Sequence, residues 1–193
     1  MSETTISRFA VPELADLADD VRARILAVQE KAGFVPNVFL MLAHRPAEFR
    51  AFFDYHDTLM EKDVGLSKAE REMIVVATSG ANNCLYCVVA HGAVLRIRAK
   101  NPRVADQLAT NYRKAEITAR QRAMLDFAMC RRPMGPGRGF RQDMRLCAST
   151  ALEHDTIWDI GAITAFFSMS NRLASYRTAA HRQSYPMGRL PKG

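Results

Sequence analysis

Apolar residues recur along this chain at three- and four-residue steps, the period of a helix that buries one stripe of its surface. Leu14, Leu17, Val21, Ile25 and Val28 form the first such face and predict a helix over roughly 12–31, which Gly33 is well placed to end. Phe34-Val35-Pro36-Asn37 reads as a turn, followed by a short apolar run from Val38 to Ala43 that His44-Arg45-Pro46 breaks. Proline is tolerated as a first helical residue. A second helix is therefore predicted over 46–62, with Phe49, Phe52, Phe53 and Leu59 as core packing.

Ser67-Lys68-Ala69-Glu70 is a capping box and starts a third helix, through Met73, Ile74, Val75, Val76 and Ala77 to Ser79-Gly80. The β-branched cluster 74–76 alone would suit a strand, but the capping box and the continuing apolar run argue for a buried helix. Next comes a helix over 83–99, whose Arg96, Arg98 and Lys100 suit the negative end of a helix. Asn101-Pro102 opens a helix over 102–113, and Thr118-Ala119-Arg120-Gln121 is a second capping box. The segments Leu66–Arg71 and Ile117–Arg122 look alike; two helix starts built alike account for so short a match without an internal duplication. Pro133 to Gly139 reads as the most flexible loop, with a short helix after it over 140–149. Asp155 is the expected cap of a long helix reaching to 180, with Trp158, Ile160, Ile163, Phe166, Phe167, Met169 and Leu173. That helix is apolar on more than one side, which places it centrally or at a subunit contact. Period-two alternation is nowhere convincing, so the fold class is all-α.

Composition narrows this picture. With 193 residues, 48% hydrophobic and 24% charged, the chain suits a single domain over 1–193, with a loose arm at 1–10 and a tail at 184–193. No apolar run approaches the ~18 residues of a membrane span. The start, Met1-Ser2-Glu3-Thr4-Thr5, has neither a basic region nor an apolar signal segment, so a cytoplasmic protein is expected. The formal charge of +7 is read as a solvated basic surface. Basic residues are scattered except for Arg131, Arg132, Arg138 and Arg141, and no zinc-finger or RNA-binding motif accompanies them. Neither nucleic acid nor a membrane is an expected partner.

The chemistry concentrates in Asn82-Asn83-Cys84-Leu85-Tyr86-Cys87-Val88-Val89-Ala90-His91. At about 100° per helical residue, Cys84, Cys87 and His91 fall within about 60° of one another. Asn82 or Asn83 is the expected cap. The cysteines then lie in the first turn, where the positive end of the helix dipole favours thiolate over thiol. In a helix interior, Cβ atoms three residues apart are about 5–6 Å from each other, whereas a disulfide needs about 3.5–4.5 Å. A pair at the helix start has the slack to close that gap, as a redox pair requires. Zinc is the rival use of two cysteines and a histidine, but structural zinc takes four ligands and nothing supplies the rest at ligand spacing. Cys130 and Cys147 are read as buried, inert thiols, His44 and His56 as structural or surface residues, and His154 and His181 carry no signal. No metal or cofactor is expected.

Glu72, Cys84, Cys87 and His91 together spell Glu-x11-Cys-x2-Cys-x3-His, preceded by Ser67-x-x-Glu70-Arg71. This resembles the alkylhydroperoxidase D core of the carboxymuconolactone decarboxylase superfamily, and the chain looks closest to its peroxidase-related branch. Val35-Pro36-Asn37, Leu42-Ala43-His44-Arg45-Pro46, Asn82-x-Cys84-x-Tyr86-Cys87 and Asn171-Arg172-Leu173-Ala174 carry that likeness over residues 30–190. The resemblance implies a multi-helix bundle with a helical hairpin bearing the CxxC motif, assembled as a homo-oligomer, a trimer or a hexamer. It implies a thiol-dependent alkyl hydroperoxide reductase. Cys87 would be the peroxidatic sulfur, Cys84 the resolving one, and Glu72 with His91 a proton relay. The partners implied are a small hydroperoxide and a dithiol reductant of lipoyl or thioredoxin type. Taken alone, Glu72 would be a solvated helix residue on the polar side of its helix. Along one unbroken helix it would sit about 120° from Cys84, so the break at Gly80–Asn83 has to fold its helix back on the next. One departure stands out. Alkylhydroperoxidase D has histidine where this chain has Tyr86, and a phenol donates a hydrogen bond but does not accept protons at neutral pH as imidazole does. Tyr86 thus has at most a supporting role, and it motivates a second reading: a redox-sensing or scaffold protein with a reactive dithiol and low turnover. A lactone decarboxylase, like the superfamily's namesake, ranks third.

Overall fold

A computed structural model describes residues 6–129 and 152–176. Among these are eight α-helices and no β-strand. They are α1 (Asp19–Ala32), α2 (Asn37–Leu42), α3 (Pro46–Met60), α4 (Lys68–Ala81), α5 (Leu85–Arg98), α6 (Val104–Asn111), α7 (Ala119–Ala128) and α8 (His154–Ala174), with single 3-10 turns at Leu14–Asp16 and Tyr112–Lys114. No helix among the described residues is long and apolar enough to cross a membrane. The loop at 133–139, the helix at 140–149, Cys130, Cys147, His181, Arg131, Arg132, Arg138, Arg141 and the tail at 184–193 lie outside the described residues.

Local chemistry accounts for most boundaries. Gly33 ends α1 at φ 78, its N–H donating to the Gln29 carbonyl at 2.8 Å. Both capping boxes form: Ser67 with Glu70 opens α4, and Thr118 with Gln121 opens α7. Three expectations need correction. α1 begins at Asp19 rather than near residue 12, because Asp19 and Asp20 suit the positive end of the dipole while Leu14 sits in the preceding 3-10 turn. α8 is capped by the extended backbone of Glu153, with Asp155 inside the first turn, and it stops at Ala174 rather than near 180. The arm is not loose over 6–10: Arg8 donates its N–H to the Tyr176 carbonyl at 3.2 Å, and Phe9 stacks on His44 with ring centroids 5.6 Å apart.

The bundle is built around α4. Every residue from Glu70 to Ser79 is buried, and α5, α6, α7 and α8 pack about it. Gly80 allows α6 to approach closely; a Cβ there would lie 2.6 Å from the carbonyl oxygen of Ala109 on α6. A smaller cluster under α1–α3 gathers Val21, Ile25, Met41, Phe49 and Phe53. Arg71 is fully buried within the main core. Its Nη1 donates to the Leu59 carbonyl at 2.8 Å and to Asp159 Oδ2 on α8 at 3.0 Å, Nη2 to the Val64 carbonyl at 2.9 Å, and Nε to the Lys62 carbonyl at 3.2 Å. One guanidinium thereby ties the end of α3, the loop to α4, and α8 together.

Removing one member of a buried, hydrogen-bonded ion pair strands the other. Asp159→Ala is expected to cost about 3–5 kcal/mol in urea unfolding, whereas Glu48→Ala, in an exposed pair with Arg45, should cost less than about 1 kcal/mol.

Candidate active site

The α4–α5 reversal places the two sulfurs. Asn82 is the C-cap of α4, and its N–H donates to the Thr78 carbonyl at 3.0 Å. Asn83 takes φ 54, a left-handed conformation that asparagine tolerates better than most residues. The asparagines therefore close α4 and do not cap α5. The N-cap of α5 is Cys84 itself, whose N–H donates to the Ser79 carbonyl at 2.9 Å. Because Cys84 stands outside the helix and Cys87 in its first turn, the backbone slack expected of the pair is present. The two cysteines are buried, with their sulfurs 2.9 Å apart.

The end of α8 closes over them. Ala174 joins the two cysteines in one buried cluster, with Tyr86 packed against it. Asn171, buried at 2% exposure, donates from Nδ2 to Ser79 Oγ at 3.0 Å and accepts from Asn82 Nδ2 at 2.9 Å. A residue from the far end of the chain thus pins the turn that carries the sulfurs.

Glu72 is not on a solvated face. Its side chain is 4% exposed and turned toward α5, where Oε2 meets His91 Nδ1 at 2.8 Å and Oε1 lies 3.1 Å from Arg98 Nη1. An ionised carboxylate only accepts, so Nδ1 carries the proton and Nε2 is the nitrogen open to proton transfer. Arg98, read from sequence as a helix-end charge, is therefore also part of the site. His91 stands one helical turn beyond Cys87, with its ring edge-on to Phe167 at 4.8 Å between centroids. Among the described residues no three His, Cys, Asp or Glu side chains are grouped to hold a metal ion.

Comparison with known proteins follows from this geometry. The carboxymuconolactone decarboxylase family model matches residues 46–129. The chain is 60% identical to a peroxidase-related protein with an alkylhydroperoxidase AhpD core from Ralstonia eutropha JMP134; the match covers 97% of this chain and 98% of that one, at a TM-score of 0.88. The chain belongs to the alkylhydroperoxidase D-like carboxymuconolactone decarboxylase superfamily. A peroxidase-related protein from Silicibacter sp. TM1040 is 39% identical over 90% of each chain, at a TM-score of 0.80. The apo debrominase Bmp8, 18% identical over 86% of this chain and 87% of its own at a TM-score of 0.69, shares the fold alone. A search of curated proteins returns no match.

Within this alkylhydroperoxidase D-like frame, the hydroxyl of Tyr86 accepts from the Val38 N–H at 3.3 Å, so the phenol ties α5 to the first turn of α2. Sequence reasoning missed His56. It rises from α3 to lie 6.4 Å from His91, ring centroid to ring centroid. No spacing in the chain signals that approach, since 35 residues and two helix reversals separate them. His56 Nδ1 meets Asp57 Oδ1 at 3.0 Å, and Arg24 of α1 reaches Asp57 Oδ2 at 2.6 Å. The hydrogen bond from His56, opposed by partial burial and helped by the charge of Arg24, holds the Asp57 carboxyl below its usual value near 3.8.

A carboxyl depressed on folding adds stability above its unfolded pKa and loses that contribution as pH falls through the native value. The melting-temperature gap between wild type and Asp57→Asn should thus be open near pH 5 and close steadily as pH falls through and below the ordinary carboxylate range. A gap that widens on acidification would contradict the sign.

Proposed function

We propose that the protein is a thiol-dependent alkyl hydroperoxide reductase. The observation that carries this reading is the pair of sulfurs 2.9 Å apart at the start of α5, backed one turn deeper by an imidazole held on a buried carboxylate. The Cys87 thiol gives its proton to His91 Nε2, directly or through water, and Glu72 stabilises the imidazolium that forms. The thiolate attacks the terminal oxygen of a hydroperoxide. The O–O bond breaks, sulfur is oxidised to a sulfenic acid, and the leaving alkoxide takes the proton from His91 to become an alcohol. Cys84 then displaces water from the sulfenic acid, leaving a disulfide. A dithiol of lipoyl or thioredoxin type, itself oxidised to a disulfide, returns both thiols. Cys84 suits the resolving role because it sits at the helix cap, where its backbone is freest to close on a partner. A homo-oligomer, trimeric or hexameric, belongs to the same proposal, and the exposed Trp158 and Met169 along α8 support it.

Tyr86 favours a second reading, a dithiol sensor or scaffold of low turnover, because its hydroxyl is engaged with α2 and it supplies no proton acceptor between the cysteines. Brisk steady-state turnover with lipoyl or thioredoxin-type donors would exclude that reading. A lactone decarboxylase would keep its activity when both cysteines are replaced by serine.

Stoichiometric tert-butyl hydroperoxide should give one Cys84–Cys87 disulfide, detected as the loss of two thiols without a change in oligomer mass. Cys87→Ser should abolish peroxide consumption, and Cys84→Ser should stop at a trappable sulfenic acid. Glu72→Gln should slow disulfide formation about ten- to a hundredfold. Peroxide consumption that survives Cys87→Ser would overturn the assignment of that sulfur.

A further inference from the structure

The two imidazoles of this site have matching support. His91 is held through Nδ1 by Glu72, which Arg98 backs; His56 is held through Nδ1 by Asp57, which Arg24 backs. One carboxylate is buried and the other exposed, at 4% and 56% of the side chain. Both rings lean on the same apolar wall from α8: Phe167 lies 4.8 Å from His91 and 6.1 Å from His56, centroid to centroid. Because each carboxylate fixes the proton on Nδ1, each ring has Nε2 as its exchanging nitrogen. Two hydrogen bonds of about 2.8 Å to one bridging oxygen span about 4.6 Å, and a ring nitrogen lies about 1.1 Å from its centroid. With the two Nε2 atoms turned toward each other, the observed centroid separation of 6.4 Å suits a single oxygen atom between the rings.

We propose that His56 is the second acid–base group of this site, a positioning residue that exchanges a proton with His91 across one water-sized gap. The proposal rests on the thiol-peroxidase reading for its use in catalysis, though not for the pairing itself. The chemistry has need of it. His91 has to be neutral when the Cys87 thiol gives up its proton, and a proton has to be at hand when the alkoxide leaves. A pair of imidazoles sharing one proton meets both demands together. Other charged groups on these two triads are Asp54, which shares Arg24, and Glu61, which shares Arg98. The facing element α8 contributes Phe166 and Phe167 at this point.

His56→Gln keeps a hydrogen-bonding side chain next to Asp57 but cannot titrate. Stopped-flow measurement of disulfide formation with tert-butyl hydroperoxide, from pH 5 to 8, is expected to show a fall of about tenfold for this variant near neutral pH. One ionisation should vanish from the profile, and added imidazole should restore much of the rate. A wild-type rate and profile, or a loss that is equal at every pH and untouched by imidazole, would overturn the proposal. A second measurement stands apart from activity: the His91 ring followed by NMR titration in wild type and His56→Gln. Coupled rings titrate in two steps that collapse to one in the variant; an unchanged His91 curve overturns the pairing. Wild-type protein that forms no disulfide with peroxide would defeat the peroxidase reading alone, and the NMR titration would then decide the His56–His91 pair.

Discussion

A carboxylate taken out of water is tolerated only where other groups replace its hydration. Glu72 meets that condition through His91 and Arg98, and both belong to the next helix. The pairing therefore fixes α4 against α5. Glu72 stands ten residues before the α4–α5 turn at Asn82, and His91 seven residues after Cys84, so the contact forms only if the chain reverses between them. Once it does, the start of α5 and its two sulfurs have a single place to be. The acid that would serve the chemistry is also what sets the site's geometry.

Its neighbour in sequence does the matching work on the other side. Consecutive helical residues point about 100° apart. Arg71 accordingly faces α3 and α8 while Glu72 faces α5. Arg71 meets three backbone carbonyls and the Asp159 carboxylate, which is why a guanidinium can be buried completely at this point. The two buried charges act as register pins. Each can be satisfied in one arrangement of its neighbours, and a slip of either helix would leave an ion unpaired in the core. α8 is held at both ends, by Asp159 on Arg71 near its start and by Asn171 on Ser79 and Asn82 at the turn that carries the sulfurs.

The cysteines depend on that second attachment. Cys84 and Cys87 are 7% and 3% exposed, and part of the shielding is Ala174, at the last turn of α8. Asn171 holds that turn against Ser79 and Asn82. The helix that carries the phenylalanine wall under both imidazoles therefore also carries the cover over the dithiol. Phe167, Asn171 and Ala174, spaced four and three residues apart, put the wall beside the imidazoles and the cover over the two cysteines on one face of α8.

Capping boxes at Ser67 and Thr118, the stop at Gly33, the helical period and the shared face of Cys84, Cys87 and His91 could all be read from the chain. Each is settled by residues within about four positions, where backbone geometry leaves few choices. Four features could not be read that way: the burial of Glu72, the approach of His56, the docking of Arg8 and Phe9, and the use of Cys84 rather than an asparagine as the cap of α5. Glu72 looked solvated because no helix discloses which of its faces another will cover. His56 comes beside His91 because α3 and α5 both pack on α8. The first three are contacts between segments tens of residues apart, and they form because burying apolar surface and satisfying ions together admit one packing, which no short stretch of sequence contains; the fourth turns on the left-handed Asn83, which closes the α4 turn one residue before the cap of α5.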